Sequence, residues 1–277
     1  MGIGACLVLT VAATAAEAQT HEQIDWCENK GNRFSLDLAI RGCTALIQSG
    51  RAPSDKDLAM ALYNRGHAYL NKNDHDRAIA DYTEAIRLDP KDGRVFNNRG
   101  FAYALKGEYD RAIADYNEAI RLNPKEAQIF NGRGNAYSNK KEYDLAIADF
   151  SEAIRIAPEL PEFFVRRCWA RAQAGRALAE ALSDCDEALR LAPNHRDVAL
   201  VALGLRGLVH LKYGMFDRAI ADYDAALKHD AKDAELLYGR GVAKLKSGDK
   251  AGGAADMAAA KAINANIAEV YAAFGVK

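Results

Sequence analysis

An all-α fold built from repeated helical hairpins is what this sequence predicts, and three observations carry the prediction. Glycines 66, 100 and 134 fall 34 residues apart inside near-copies of one stretch, YNRGHAY at 63–69, NNRGFAY at 97–103 and NGRGNAY at 131–137. A second stretch keeps the same step: RAIADY at 77–82 and 111–116, LAIADF at 145–150, with Pro90, Pro124 and Pro158 closing each copy. The third is composition. With 49% hydrophobic residues, 8% aromatic and six Pro in 277 residues, the chain suits close-packed helices and does not resemble a disordered, highly charged one. A balance of 37 Lys+Arg against 38 Asp+Glu gives net charge -1, so nothing global attracts a nucleic-acid backbone or an anionic membrane.

Taken in order, residues 1–18 hold an apolar stretch from Ile3 to Ala13 that is too short to span a bilayer. Ala16, Glu17 and Ala18 make a small-x-small cleavage site before Gln19, so the segment is read as a secretory signal peptide, although the usual positive charge after Met1 is missing. A buried N-terminal helix and a lipoprotein box at Ile3 to Cys6 are the competing readings. Cleavage would leave four Cys and 37 acids against 37 bases. The expected location is periplasmic or secreted, or cytoplasmic without export, and no membrane span is expected in the mature chain.

Residues 19–58 form a degenerate first unit and a connection, because DLAI at 37–40 imitates DLAI at 144–147 and Ser54 with Asp57 makes a capping-box-like helix start. Three regular units follow, 59–92, 93–126 and 127–160. At positions 4, 8, 11, 20, 24, 27 and 32 the first carries Leu62, Gly66, Tyr69, Ala78, Tyr82, Ala85 and Pro90. The second carries Phe96, Gly100, Tyr103, Ala112, Tyr116, Ala119 and Pro124, and the third Phe130, Gly134, Tyr137, Ala146, Phe150, Ala153 and Pro158. Small residues at 8, 20 and 27 let two antiparallel helices approach, while the large ones at 4, 11 and 24 fill the space between units. Asn73, Gly107, Gly175, Gly214 and Gly248 stand at position 15, where a left-handed residue ends the first helix; Lys141 is the exception.

These landmarks resemble the tetratricopeptide repeat family, whose helix–turn–helix units stack into a right-handed superhelix. The resemblance implies an α-α solenoid that binds protein or peptide, with no cofactor and no catalysis. Three further units depart from the pattern. Unit 161–195 has an extra residue in its turn, unit 200–233 is preceded by Arg196 to Ala199 as an added turn of helix, and unit 234–267 has Ala231 and Ala265 where Pro would stand. Looser stacking is expected there. Residues 268–277 then supply a capping helix over the terminal apolar face.

Two ladders run through the units. Position 7 is Arg65, Arg99, Arg133, Arg167, Arg206 and Arg240, and position 23 is Asp81, Asp115, Asp149, Asp184, Asp222 and Asp256. An ion beside the packed stripe needs a partner, so a structural Arg–Asp ladder is expected in preference to a charged partner surface. Cys27 and Cys43, like Cys168 and Cys185, occupy positions 8 and 24 of the two irregular units, and in an oxidising compartment two disulfides are expected. Apolar filling by free Cys is the alternative. Zinc is not expected, since two Cys per distant unit cannot supply four converging ligands.

Catalytic motifs are wanting. His21 and Glu22 begin like a zincin helix, but Asp25 stands where the second His belongs. There is no Walker A loop and no Gly-x-Ser-x-Gly elbow. Tyr69, Tyr82, Tyr103, Tyr116 and Tyr137 recur at helical landmarks and so belong to the core, not to a base-stacking platform.

In this architecture the first helices of the units line the concave surface. Its exposed positions include Asn64, His67, Asn71, Arg94, Asn97, Asn98, Phe101, Asn131, Asn135 and Asn139. An amide offers donors and an acceptor, so such a face can hydrogen-bond an extended peptide backbone with little regard to sequence. The face is similar to the asparagine ladder of the O-GlcNAc transferase family, although Gly132 breaks the run at position 6. The family's carboxylate clamp is not expected, since its five places hold Tyr63, His67, Asn98, Gln128 and Gly132 and only the Asn fits. The expected function is therefore a non-catalytic protein-interaction scaffold that binds peptide or protein in a groove over 59–160. The alternatives are a self-associating structural module and a non-catalytic subunit or specificity factor of an envelope enzyme with a glycan or polymer ligand.

Overall fold

The computed structural model describes residues 21–50, 52–175 and 177–276; the signal-like segment, with Cys6 and Glu17, lies outside them. The described residues are helical with short turns, in two compact units divided after Lys125.

In the first unit a helix over 21–28 (α1) and a 3₁₀ turn, Lys30–Asn32, lead to α2 (Leu36–Ser49). Two hairpins follow, α3 (Asp55–Asn71) with α4 (His75–Leu88), and α5 (Gly93–Leu105) with α6 (Tyr109–Leu122). At the start of α3 the Ser54 half of the capping box is made. Ser54 Oγ accepts from the Asp57 backbone N–H at 3.2 Å and donates to Asp57 Oδ2 at 2.6 Å. Close approach of the paired helices depends on position 8: a β-carbon on Gly66 would lie 2.8 Å from the Tyr82 ring, which is fully buried. The glycine thus leaves room for the aromatic side chain of the facing helix.

The second unit holds α7 (Ala127–Asn139), α8 (Tyr143–Ile156), α9 (Pro161–Ala174), α10 (Leu178–Leu191), α11 (Arg196–Lys212), α12 (Phe216–Leu227), α13 (Ala234–Ser247), α14 (Lys250–Ile263) and α15 (Ile267–Ala273). They pair as four antiparallel hairpins closed by α15. The added turn of α11 begins at Arg196. In both units the residue before Pro is pushed out of the helical region, as at Asp89 (φ -132°), Asn123 (φ -131°) and Ala157 (φ -135°), and the second helix stops there. Lys141 adopts φ 63° where its counterpart Gly107 has 77°, so the turn is kept by a residue whose β-carbon makes that conformation costly.

The last hairpin closes tightly without a proline after it. A β-carbon on Gly241 would lie 2.9 Å from the Gly253 carbonyl, and one on Gly253 2.7 Å from the Gly241 carbonyl. Glycines facing each other bring the α13 and α14 backbones together, and Asn264 reaches an extended φ of -135° without a following Pro. The α15 helix then buries Ile267 and Tyr271, whose hydroxyl donates to the Glu235 carbonyl at 2.7 Å.

Candidate functional site

Every clear repeat carries the same charged brace. Arg65 Nε and Nη2 grip the two oxygens of Asp81 at 2.8 and 2.7 Å. The same fork joins Arg99 to Asp115, Arg133 to Asp149, Arg167 to Asp184, Arg206 to Asp222 and Arg240 to Asp256, with shortest contacts of 2.5–2.7 Å. All six aspartates are buried. Each brace ties the first helix of a hairpin to its second, and the guanidinium that loses water gains two charge-assisted bonds.

The third guanidinium nitrogen does more than the sequence reading foresaw. Arg65 Nη1 reaches Thr44, Arg99 Nη1 reaches Thr83, and Arg167 Nη1 reaches Ser151, at 3.1, 3.1 and 2.9 Å. Arg206 and Arg240 reach Asp186 and Asp224 at 2.6 and 2.7 Å. Each acceptor stands one residue after position 24 of the preceding hairpin, so the arginine braces two hairpins at once. The signal was present: that position carries an oxygen-bearing side chain in each of these hairpins. Position 11 also changes role. Tyr there gives way to Arg171, His210 and Lys244, which meet Asp184, Asp222 and Asp256 at 2.5, 2.8 and 2.9 Å.

The environment sets the aspartates apart. Burial pushes the Asp149 carboxyl above its ordinary value, and the bond from Arg133 offsets only part of that. At Asp256 burial acts the same way, but Arg240 and Lys244 together outweigh it and the carboxyl is held below its ordinary value.

Cys27 is joined to Cys43 with Cα atoms 4.5 Å apart, and Cys168 to Cys185 at 5.7 Å. Each disulfide crosses one hairpin at positions 8 and 24, where glycine meets an aromatic ring at Gly66, Gly100, Gly134 and Gly207 and meets Met257 at Gly241. All four Cys are buried.

The asparagine-bearing face lies on the first helices. In the first unit Asn98 Nδ2 donates to the Tyr63 hydroxyl at 3.1 Å and Asn97 Nδ2 to Asn98 Oδ1 at 3.2 Å, while Asn71 meets His67 at 3.3 Å. Arg94 forks onto Asp92 and lies over the Tyr63 ring, and Phe101 is 47% exposed in the same row. The Asn64 amide has no partner within the described residues. In the second unit, on α7, Asn131 Nδ2 stands 3.5 Å from Gln128 Oε1 and Asn139 Nδ2 donates to the Asn135 backbone carbonyl, while the Asn135 side chain has no partner among the described residues.

Further along the second unit several of the equivalent positions are apolar. Val165 and Trp169 on α9, Val201, Gly204 and Leu208 on α11, and Leu236 on α13 line an apolar cleft of about 250 Å³. A larger cavity of about 580 Å³ lies at the hairpin turns and includes Lys212, whose ammonium donates to the Ala172 carbonyl at 2.6 Å. Among the described residues no cluster of His, Cys, Asp and Glu has the makings of a metal site, and no helix is long and apolar enough to cross a membrane.

The comparisons with known proteins agree on one architecture. The tetratricopeptide repeat family model matches residues 63–127, 102–161 and 205–266. A tetratricopeptide repeat protein from Parabacteroides merdae superposes with a TM-score of 0.69 at 20% identity, over 93% of this chain and 99% of its own. YrrB, described as a tetratricopeptide repeat protein with an unusual peptide-binding site, gives a TM-score of 0.54 at 23% identity, over 69% of this chain and 96% of its own. PilF of Pseudomonas aeruginosa gives 0.63 at 20% identity, over 79% and 98%. At these identities the structural likeness speaks for the fold. With family matches over more than half its length and a glycine, an aromatic ring and a helix-ending proline recurring where a hairpin stack needs them, this chain belongs to the tetratricopeptide repeat family.

Proposed function

We propose that the protein is a peptide-binding scaffold whose asparagine-bearing first-helix face hydrogen-bonds the backbone of an extended segment. Stacked repeats of this family serve in general as non-catalytic platforms for protein–protein interaction, and the reading here is finer than that. The observation that carries it is the open amide row on α3 and α5. Asn64 has no partner among the described residues, and Asn97 and Asn98 bond mainly to each other and to Tyr63, which leaves amide donors and acceptors unused beside exposed Phe101. A backbone ligand would be met by amides from both sides of its polarity, with an aromatic ring to stack against a side chain. Asn135 and Asn139 carry the same chemistry on α7 in their own unit. YrrB's peptide-binding site is a likeness in the same direction.

Export belongs to this proposal as well. Two buried disulfides suit an oxidising compartment and fit the signal-like residues 1–18.

The test is a crosslinked pull-down from the native envelope fraction with the wild type and with the Asn64→Ala, Asn97→Ala, Asn98→Ala variant, followed by titration of the recovered partner. Loss of the partner from the variant alone, with an unchanged circular dichroism spectrum, is the expected result. Equal recovery by both proteins would remove the amide face from consideration.

A further inference from the structure

Three first helices of the second unit, α9, α11 and α13, carry a surface of different chemistry from the amide row, and nothing in the repeat pattern requires it. Val165 and Trp169 of α9 face Val201, Gly204 and Leu208 of α11, with Leu236 of α13 at the end, around a cleft of about 250 Å³. Val201 is 47% exposed, which leaves a branched aliphatic side chain in water beside an already apolar hollow. Gly204 keeps the hollow open: a β-carbon there would sit 2.8 Å from Leu236 Cδ2. The volume is below that of ordinary small-molecule pockets and suits one or two aliphatic side chains presented by a polypeptide.

The rim is charged unevenly. Asp233 and Glu235 lie on the α13 side and Arg166 on the α9 side. Asp233 caps α13 by accepting from the Leu236 backbone N–H at 3.0 Å, so one of its oxygens is occupied. Glu235 has no cationic partner among the described residues, and both the apolar wall and the neighbouring Asp233 hold its carboxyl above the ordinary value. A cation seated there would relieve both effects.

We infer that this cleft is a second docking site, for a peptide segment that inserts an aliphatic anchor between Trp169 and Val201 and places an adjacent lysine or arginine against Glu235. The anchor leaves water against an apolar floor and the basic residue meets the acidic rim, so the two halves of the motif are read by different parts of one site. The inference does not rest on the asparagine face; it concerns other helices and a different ligand chemistry.

Trp169 makes the site observable. The chain has two tryptophans, and Trp26 lies in the first unit, so a Trp26→Phe variant leaves Trp169 as the sole reporter, with the wild type titrated in parallel. The probes are short blocked peptides: one with paired leucines followed by lysine, one with glutamate for the lysine, and one with serine for the leucines. The first is expected to shift Trp169 emission to the blue. Replacing lysine by glutamate should weaken binding about 10-fold and replacing leucine by serine about 30-fold. Gly204→Leu, which fills the floor and favours the helix, should abolish the response, and Glu235→Lys should reverse the charge preference. The asparagine variant should bind these peptides as the wild type does. The inference is overturned by an unmoved Trp169, by equal affinity for the lysine and glutamate peptides, or by a blue shift that grows with protein concentration alone, which would make a second copy of the chain the occupant.

Discussion

A single arginine shows how this chain turns a buried charge to structural use. Arg99 grips Asp115 within its hairpin, touches Thr83 of the hairpin before, and lies 5.8 and 5.9 Å from the ring centres of Phe96 and Tyr103. Each contact compensates part of the desolvation, and removing one partner exposes the cost of the other. Asp115→Ala is expected to destabilise the protein by about 3 kcal/mol, since it strands a largely buried guanidinium, whereas Arg99→Met combined with Asp115→Leu should recover most of that loss. Urea unfolding of the single and double variants checks it, and an additive double variant would show that the pair is not coupled. The aspartate was legible because it recurs with the arginine at fixed spacing. Thr83 was not, because a threonine on a helix surface reads as solvated until a neighbouring hairpin brings an arginine to it.

At the scale of the element, each hairpin crosses closely at positions 8 and 24, and three chemistries fill the crossing. Glycine against a ring does so at Gly66 and Tyr82, a disulfide at Cys27 and Cys43 and again at Cys168 and Cys185, and glycine against a thioether side chain at Gly241 and Met257. Converting Cys168 and Cys185 to alanine is expected to cost about 3 kcal/mol through the lost loop constraint, and reductant, which also opens Cys27–Cys43 in both proteins, should bring the wild type to the level of the reduced variant. Denaturant midpoints with and without reductant measure it. Acid should also separate the hairpins. The depressed carboxyl of Asp256 stabilises α13–α14 above its ordinary value of 3.8, and that contribution is lost as pH falls through the lower folded value. Asp149 has the opposite sign. Its raised carboxyl favours the folded α7–α8 pair at low pH, and the benefit fades as pH rises through the folded value. Hydrogen exchange below pH 4 should therefore show α13–α14 opening before α7–α8.

For the molecule as a whole, a repeat stack is stabilised by each hairpin and its neighbours, without one central core. Damage should accordingly remain local. Truncation before Ile267 uncovers Leu237 and Tyr238 and removes the Tyr271 hydroxyl from the Glu235 carbonyl, so α13 and α14 are expected to lose exchange protection while α7 and α8 keep theirs. Uniform loss across the second unit would show instead that it unfolds as one body. The two proposed sites divide by place in the same way, with amides on α3 and α5 and an aliphatic cleft between α9 and α11.

Sequence alone determined the hairpins, their period, the residues that cross at Gly66 and Tyr82, the cysteine positions and the pairing partners of the ladder, because each is set by spacing within about one repeat. The proposed amide row was legible for the same reason: Asn64 and Asn98 share position 6, on a helix face whose phase the landmarks define. What only the tertiary structure decided are contacts whose meaning depends on what faces a residue. The third arm of each arginine crosses to the preceding hairpin, the cation at position 11 and the glycine-to-glycine approach of α13 and α14 lie within one hairpin, and the cleft under Trp169 draws on three hairpins; each turns on a substitution that reads as neutral until its neighbour is known. Periodicity tells which side of a helix a residue occupies. Whether Val201 there meets solvent, a core or a hollow depends on the size of every neighbour, and Gly204 settles it by being small.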